Sequence, residues 1–528
     1  QCLLEAVRLV GLFHDVGHPP YSHIMETVLN DLYQKCEAPN SGFNRERANE
    51  LLDSLAPFKK EMEDRVRCLI SKPEQVRSDI HEQVGIRMLS GAFADVLQGQ
   101  FDRLSSPKTK RKEKGTVAVY LIAVAEFCFA ILREQTPFFL SLHRVIDGCV
   151  DADRMDYIIR DSRNSGVDWG TIPYKRLLDS CRLMEYSGSR TTNRRYCVAF
   201  PKKMCEHIDD LLLTRYKIFS RINYHHRCYK TAIILQRAVT LLAEDYLQKE
   251  GGAKELCPGI ADLWNCLSAT LNSGDLYIIQ WNDSTLISHL YQTLAEMNKS
   301  SPEDYGVAEE TYEVIKNLLE EILLNRKHFY SVFKRQADFS PIISSMFDQL
   351  KEMVDRVREY EQNKIETADT REEKSAAEDS LKRLDKLQLD RIVGFGDIDT
   401  LERILPTTPS TSEIILQVLE EYKESGKISE FLFDENKKRT QTGLPKKEDG
   451  SDGIFLYEPQ KDKPVPYDTS LLEQQLVALQ NYCMKYIAYI EPRGESEVII
   501  KHIREEISNR MCQAVREEME KLFSCLRA

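Results

Sequence analysis

The stretch Gly11-Leu12-Phe13-His14-Asp15-Val16-Gly17-His18-Pro19-Pro20-Tyr21-Ser22-His23 decides how the chain is read. Apolar residues from Leu3 and Leu4 through Val7 to Val16 predict a helix that ends at Gly17, and Pro19 and Pro20 forbid its continuation. His14 and Asp15 therefore fall in the last helical turn. A carboxylate there faces the negative end of the helix dipole, which is unfavourable unless a cation sits beside it. A divalent metal shared by the imidazole and the carboxylate removes that conflict. Standing alone, a His-Asp pair reads better as a histidine capping carbonyls beside a solvated acid. Three histidines and an acid within a dozen residues, spread around a glycine-proline turn, reverse that preference. They are too polar for a core and too ordered for a loop.

Two further blocks carry the same polarity. In Val150-Asp151-Ala152-Asp153-Arg154-Met155-Asp156-Tyr157-Ile158-Ile159-Arg160-Asp161, the residues Asp153, Tyr157 and Asp161 fall at i, i+4 and i+8 of a helix, while Met155, Ile158 and Ile159 can pack inward. Read alone, this block is better taken as an amphipathic helix with an Asp156 to Arg160 surface pair. In Arg221-Ile222-Asn223-Tyr224-His225-His226-Arg227-Cys228-Tyr229, the residues Arg221, His225 and Tyr229 share a helical face. An arginine, an imidazole and a phenol in line suit a polyphosphate, a sugar and a base in turn, and suit an interhelical hydrogen-bond network as well.

The first run resembles the HD superfamily. Its continuation, Gly17-His18-Pro19-Pro20-Tyr21-Ser22-His23-x-x-Glu26, resembles the deoxynucleoside triphosphate triphosphohydrolase branch, which includes bacterial deoxyguanosine triphosphatases and the vertebrate sterile-alpha-motif and HD-domain enzyme. Ser162 to Val167, with Gly170 and Arg176-Leu177-Leu178, also resembles a family of bacterial HD phosphohydrolases. The resemblance implies His14, Asp15 and Asp153 as ligands of a divalent metal (Mg, Mn, Fe or Zn), and His18 approaching the substrate phosphates. It places His23 with Glu26 beside the reacting phosphorus. It gives phosphate contact to Arg154, and substrate contact to Tyr157, Asp161, Arg221, His225 and Tyr229. His81-Glu82-Gln83 resembles the catalytic histidine segment, and a histidine titrates where it can protonate a departing oxygen. The implied activity is hydrolysis of a nucleoside triphosphate to nucleoside and inorganic triphosphate by a homo-oligomer. Arg182 and Lys202 resemble positions bordering an activator nucleotide in some relatives. The family's metal site uses another histidine upstream of the His-Asp pair. The chain opens with Gln1 inside a helical pattern, so we expect upstream sequence to be missing. The rivals are an HD phosphodiesterase or nuclease, against which the absence of a Gly-Tyr-Pro element and the acidic balance weigh, and a nucleotide sensor without metal.

At 528 residues the chain exceeds the size at which one hydrophobic core stops growing. The reading is mainly α: an HD-domain helical core over 1–246, a helical extension over 247–357, a charged helical linker over 358–391, and a small α+β appendage over 392–528. In the appendage two β-prone runs, Gly453 to Tyr457 and Tyr486 to Ile490, flank a helix starting near Thr469. Ser105 to Lys114 reads as an exposed loop, and Asn436 to Asp452 as a mobile one. A formal charge of −12 argues against a nucleic acid as main partner. The 14 cysteines contain no Cys-x-x-Cys pair, which suggests free thiols in a reducing cytoplasm. Val117 to Leu132, broken by Glu126, is too short to span a bilayer and reads as a buried core helix.

Overall fold

A computed structural model describes residues 1–38, 42–55, 80–104, 111–186, 195–250, 252–266, 282–334, 336–386, 398, 402, 405–436, 453–458, 460, 463–480 and 485–527. The fold is mainly helical, with a small α+β part. The helices that matter below are α1 (Cys2–Phe13), α2 (His23–Glu37), α3 (Ile80–Leu104), α4 (Arg111–Leu132), α5 (Ala152–Ser165) and α6 (Cys205–Ile218). They continue with α7 (His226–Gln248), α8 (Asp283–Met297), α9 (Gln336–Thr367), α10 (Arg371–Lys386), α11 (Thr411–Glu424) and α12 (Ser496–Arg527). The strands are β1 (Arg182–Tyr186), β2 (Arg195–Pro201), β3 (Tyr330–Phe333), β4 (Ile428–Glu435), β5 (Phe455–Tyr457), β6 (Val465–Pro466) and β7 (Tyr486–Pro492).

The chain divides into two units that interleave along the sequence. The first holds Gln1–Asn223, Ile234–Leu324 and Gln441–Leu476; the second holds Tyr224–Ile233, Asn325–Thr440 and Val477–Ala528. In the first, the apolar faces of α1, α3 and α4 meet through Ala6, Val10, Ile86, Leu89, Val124, Cys128 and Ile131. Its sheet has the order β1-β2-β5-β6, with β1 antiparallel to β2 and β5 running parallel to β2 from Ala199↔Phe455. In the second, α9 and α12 bury Ile343, Met346, Leu350, Ile503, Ile507 and Val515 together with Val418 and Leu419 of α11. Its sheet is antiparallel in the order β3-β7-β4.

Several expectations need adjusting. The two β-prone runs of the C-terminal part are strands, but β5 joins the sheet of the first unit and β7 that of the second. No strand satisfies its backbone donors and acceptors alone, and β5 finds a partner in β2 while β7 finds partners in β3 and β4. The 247–357 segment is not purely helical, since β3 lies in it, and α9 runs unbroken through 357. Arg111 to Lys114 opens α4 instead of forming a loop, while 105–110 and 437–452 fall outside the described residues. Within α4, Val119 is 67% exposed whereas Cys128 and Ile131 are fully buried, so the apolar run lies with one side open. Among the described residues no helix is long and apolar enough to cross a membrane.

One contact positions everything that follows. A Cβ on Gly17 would meet the carbonyl oxygen of His81 at 2.1 Å and the nitrogen of Gly85 at 2.6 Å; a Cβ on Gly85 would meet the carbonyl oxygen of Phe13 at 3.0 Å. The turn after α1 and the first turn of α3 thus touch backbone to backbone, which requires glycine. We predict that Gly17→Ala lowers stability by about 1–3 kcal/mol, the usual cost of overpacking. Gly91→Ala, also on α3 but with open space around it, should be neutral or slightly stabilising. Denaturant midpoints at constant slope provide the comparison.

Candidate active site

Helix α1 ends at Phe13, and His14 is its cap residue in right-handed helical geometry. Its Nδ1–H donates to the Gly11 carbonyl at 3.0 Å, which leaves Nε2 as the nitrogen available to a metal. That nitrogen lies 3.4 Å from Asp15 Oδ2 and 3.8 Å from Asp153 Oδ1. One ligand atom from each of the three residues lies within 4.8 Å of the others. Asp15 sits beyond the helix end rather than in its last turn. Asp153 occupies the first turn of α5, where the dipole favours a negative charge.

Burial lowers the His14 pKa, but the Asp153 and Asp15 carboxylates and the Gly11 carbonyl outweigh it and push it up to about 9. Burial raises the pKa of Asp15, yet the hydrogen bond from His18 and the charges of His14, His18 and His81 hold it below its ordinary value. Two carboxylates and an imidazole nitrogen lie close enough for a divalent ion to replace the proton that the imidazole otherwise carries. One nitrogen and two carboxylate oxygens suit a divalent ion of the hard to borderline kind.

The second group gathers around Glu26, one turn into α2 and 5% exposed. Its Oε2 accepts from His23 Nδ1 at 2.8 Å. Its Oε1 accepts from His81 Nδ1 at 2.8 Å and from the His81 backbone N–H at 3.0 Å. Burial raises the Glu26 pKa, but the two imidazoles win and hold it well below the carboxylate range. One carboxylate therefore grips two imidazoles by Nδ1–H. His18 stacks on His81 at 3.7 Å and meets His23 edge-on at 4.9 Å. Its Nε2 lies 3.5 Å from Asp15 Oδ1, linking the two groups, and its buried Nδ1 has no hydrogen-bond partner among the described residues. The His23 side chain is 53% exposed and that of His81 9%, so the group opens outward through His23.

The local backbone aims these side chains. After Pro19 and Pro20, Tyr21 (φ 56°) and Ser22 (φ 55°) take left-handed conformations, which cost non-glycine residues of the order of 1–3 kcal/mol each. The turn is held by Ser22 N–H to the Pro19 carbonyl at 2.8 Å and by Tyr21 N–H to Asp283 Oδ1 of α8 at 2.8 Å.

On α5, Asp151 caps the helix. It is 2% exposed, accepts from the N–H groups of Arg154 at 2.6 Å and Gly148 at 2.7 Å, and is driven up to about 7 by burial against the pull of Arg154. Arg154 Nε lies 3.2 Å from the same carboxylate, and Nη1 donates to the Cys149 carbonyl at 2.8 Å. The Tyr157 hydroxyl oxygen accepts from Arg215 Nε at 2.9 Å. Asp161 is half-buried beside Arg160, and Asp156 with Arg160 forms the surface pair at 2.9 Å that the spacing allows.

Arg221, His225 and Tyr229 do not share one helix. A π-helical turn, Phe219–Asn223, precedes a break before α7 begins at His226. Arg221 lies 5.1 Å over the Trp169 ring in the first unit. His225 and Tyr229 belong to the second, where the Tyr229 hydroxyl donates to Asp434 and the His225 ring lies 4.3 Å from that of His226. The structure thus brings together His14, Asp15 and Asp153, and joins them through His18 to His23, Glu26 and His81. Sequence reading passed over Asp151, whose signal is an acid directly before an amphipathic run. Arg215 and Asp283 carry no local signal.

No family profile matches the chain. An uncharacterized protein of Methanocaldococcus jannaschii is 33% identical over 237 residues, 45% of this chain and 34% of that protein. An uncharacterized protein of Mycoplasma pneumoniae is 24% identical over 234 residues, 44% of this chain and 40% of its own length. A protein of Acanthamoeba polyphaga mimivirus is 22% identical over 246 residues, 46% of this chain and 38% of its own length. The last is named for an HD domain. The chain spans well under half the length of these relatives.

Protonation of His14 couples folding to pH. Its folded-state pKa of about 9 exceeds the ordinary 6.5, so its contribution to stability is complete below 6.5 and is lost as pH rises through 9. The metal-free chain should lose stability across that window, and His14→Gln should flatten the loss. Affinity for a divalent ion should rise over the same range, because the ion competes with that proton. Thermal unfolding and metal titration at stepped pH measure both.

Proposed function

We propose that the chain hydrolyses (deoxy)nucleoside triphosphates to nucleoside and inorganic triphosphate. The observation that carries this reading is the joining, through His18, of a three-donor metal group to a carboxylate-held pair of imidazoles that opens outward at His23. A divalent ion held by His14, Asp15 and Asp153 would polarise a phosphoryl oxygen and lower the pKa of a water. Water adds to the α-phosphorus, the bond to the 5′-oxygen breaks, and the leaving nucleoside needs a proton.

His23 is the better donor of that proton, since His81, the residue the resemblance favours, is shielded behind Glu26. With Nδ1–H committed to Glu26, Nε2 is the His23 nitrogen left to face the leaving oxygen. His81 shares the carboxylate and stacks under His18, so it orients both. Arg154, held by Asp151 next to Asp153, and Arg221 offset phosphate charge.

Chromatography of products from a nucleotide panel with Mg, Mn, Fe and Zn tests the reading. Triphosphate plus nucleoside supports it, monophosphate plus diphosphate favours a different HD chemistry, and no turnover favours a sensor. Asp153→Asn should abolish turnover and metal retention while the fold persists, because the Asp151 cap remains. His23→Ala should lower turnover about 10²- to 10⁴-fold with metal retained, the range for a lost proton donor. Metal analysis after dialysis separates the two.

A further inference from the structure

We infer that Asp283 is a positioning residue for the proposed hydrolysis: by holding the amide of Tyr21 it fixes the turn from which His23 is aimed. What His23 does there rests on the nucleotide reading above.

Asp283 is the first residue of α8, yet its side chain is not spent on that helix. The cap is Asn282, whose side-chain oxygen accepts from the Thr285 N–H at 3.1 Å. Asp283 Oδ1 instead accepts from the Tyr21 N–H at 2.8 Å, across 262 positions of sequence within the first unit. Among the described residues this is the one hydrogen bond that its carboxylate makes.

The turn it reaches needs holding. Tyr21 (φ 56°) and Ser22 (φ 55°) both carry positive φ, and the Ser22 ψ of −129° completes a pair of angles that a type II′ turn gives to glycine. A side chain at such angles crowds its own backbone, so a free chain would swing back to negative φ. His23 comes next and is the first residue of α2. Rotation about the Ser22 bonds would tilt the start of that helix and draw the His23 ring off Glu26, which it meets at 2.8 Å. The bond from Ser22 N–H to the Pro19 carbonyl closes the turn on itself, whereas the bond to Asp283 ties it to a separate helix and so sets its direction.

The amide needs an acceptor oxygen and not a charge, and an asparagine offers that oxygen in the same place. A carboxylate in the first turn of a helix is favourable in its own right, but alanine and asparagine both forgo that benefit. The two substitutions therefore differ in the bond to Tyr21.

The test compares Asp283→Ala with Asp283→Asn in the full chain. Turnover of the four deoxynucleoside triphosphates with manganese, metal content after dialysis, and hydrogen exchange of the Tyr21 to His23 amides are measured together. Asp283→Ala should lower kcat about 10-fold or more, as displaced catalytic groups do. It should leave KM and metal content nearly unchanged and speed exchange in the turn. Asp283→Asn should recover most of both losses. In a Ser22→Gly background, where positive φ costs little, Asp283→Ala should do less harm. Asp283 is exposed, so its truncation leaves no cavity; Asp283→Ser, too short to reach Tyr21, takes the place of the alanine variant if thermal unfolding shows that one to be unfolded. An asparagine variant as damaged as the alanine one, metal lost in step with turnover, or unchanged exchange in Asp283→Ala overturns the assignment and leaves the nucleotide reading standing. A wild-type chain that turns over no nucleoside triphosphate sinks that reading, and the exchange comparison still decides whether Asp283 holds the turn.

Discussion

A carboxylate taken out of water has to be neutralised where it lies, and Glu26 imposes that constraint on the first unit. Its two oxygens are met by imidazoles from two helices, His23 from α2 itself and His81 from the start of α3. His81 reaches it because Gly17 has no side chain to hold the first turn of α3 away. The end of α1, the proline turn, α2 and α3 are thereby tied to one buried charge. A change at Gly17 would act on Glu26 through His81, although Gly17 carries no chemistry of its own.

The metal group is built on a different electrostatic logic. Asp153 sits where a helix N-terminus welcomes it, whereas Asp15 stands among imidazoles and His14 is clamped by a backbone carbonyl. His18 joins the two groups by leaning on Asp15 with one nitrogen and stacking its ring on His81. A displacement of either group is therefore passed to the other through one ring.

What could be read from sequence follows from the range of the forces involved. The helix after Asp151, the stop near Gly17 and the nearness of His14 to Asp15 depend on neighbours within a turn or two, and all three are present with small changes of boundary. The meeting of Glu26 with His81 joins residues 55 apart and leaves no periodic trace; only resemblance named both. Helical spacing misled at Arg221, His225 and Tyr229, because a π-helical turn and a break change the phase between them. The apolar run of α4 misled in another way. Composition reports that a helix is apolar but not that one side of it stays uncovered. The strands at 455–457 and 486–492 were legible as strands and illegible as partners, since pairing is decided by residues hundreds of positions away.

The turn between Pro19 and His23 shows how the site stays ordered. Two consecutive non-glycine residues in left-handed conformations would relax if the chain were free to move. They are held because the Tyr21 N–H is anchored to Asp283 on one side and the His23 ring to Glu26 on the other. A residue from α8 with no chemical role thus fixes the direction in which His23 faces. Groups that transfer protons work only when aimed to within a fraction of an ångström, so a strained turn braced at both ends serves the proposed chemistry better than a relaxed one with room to wander.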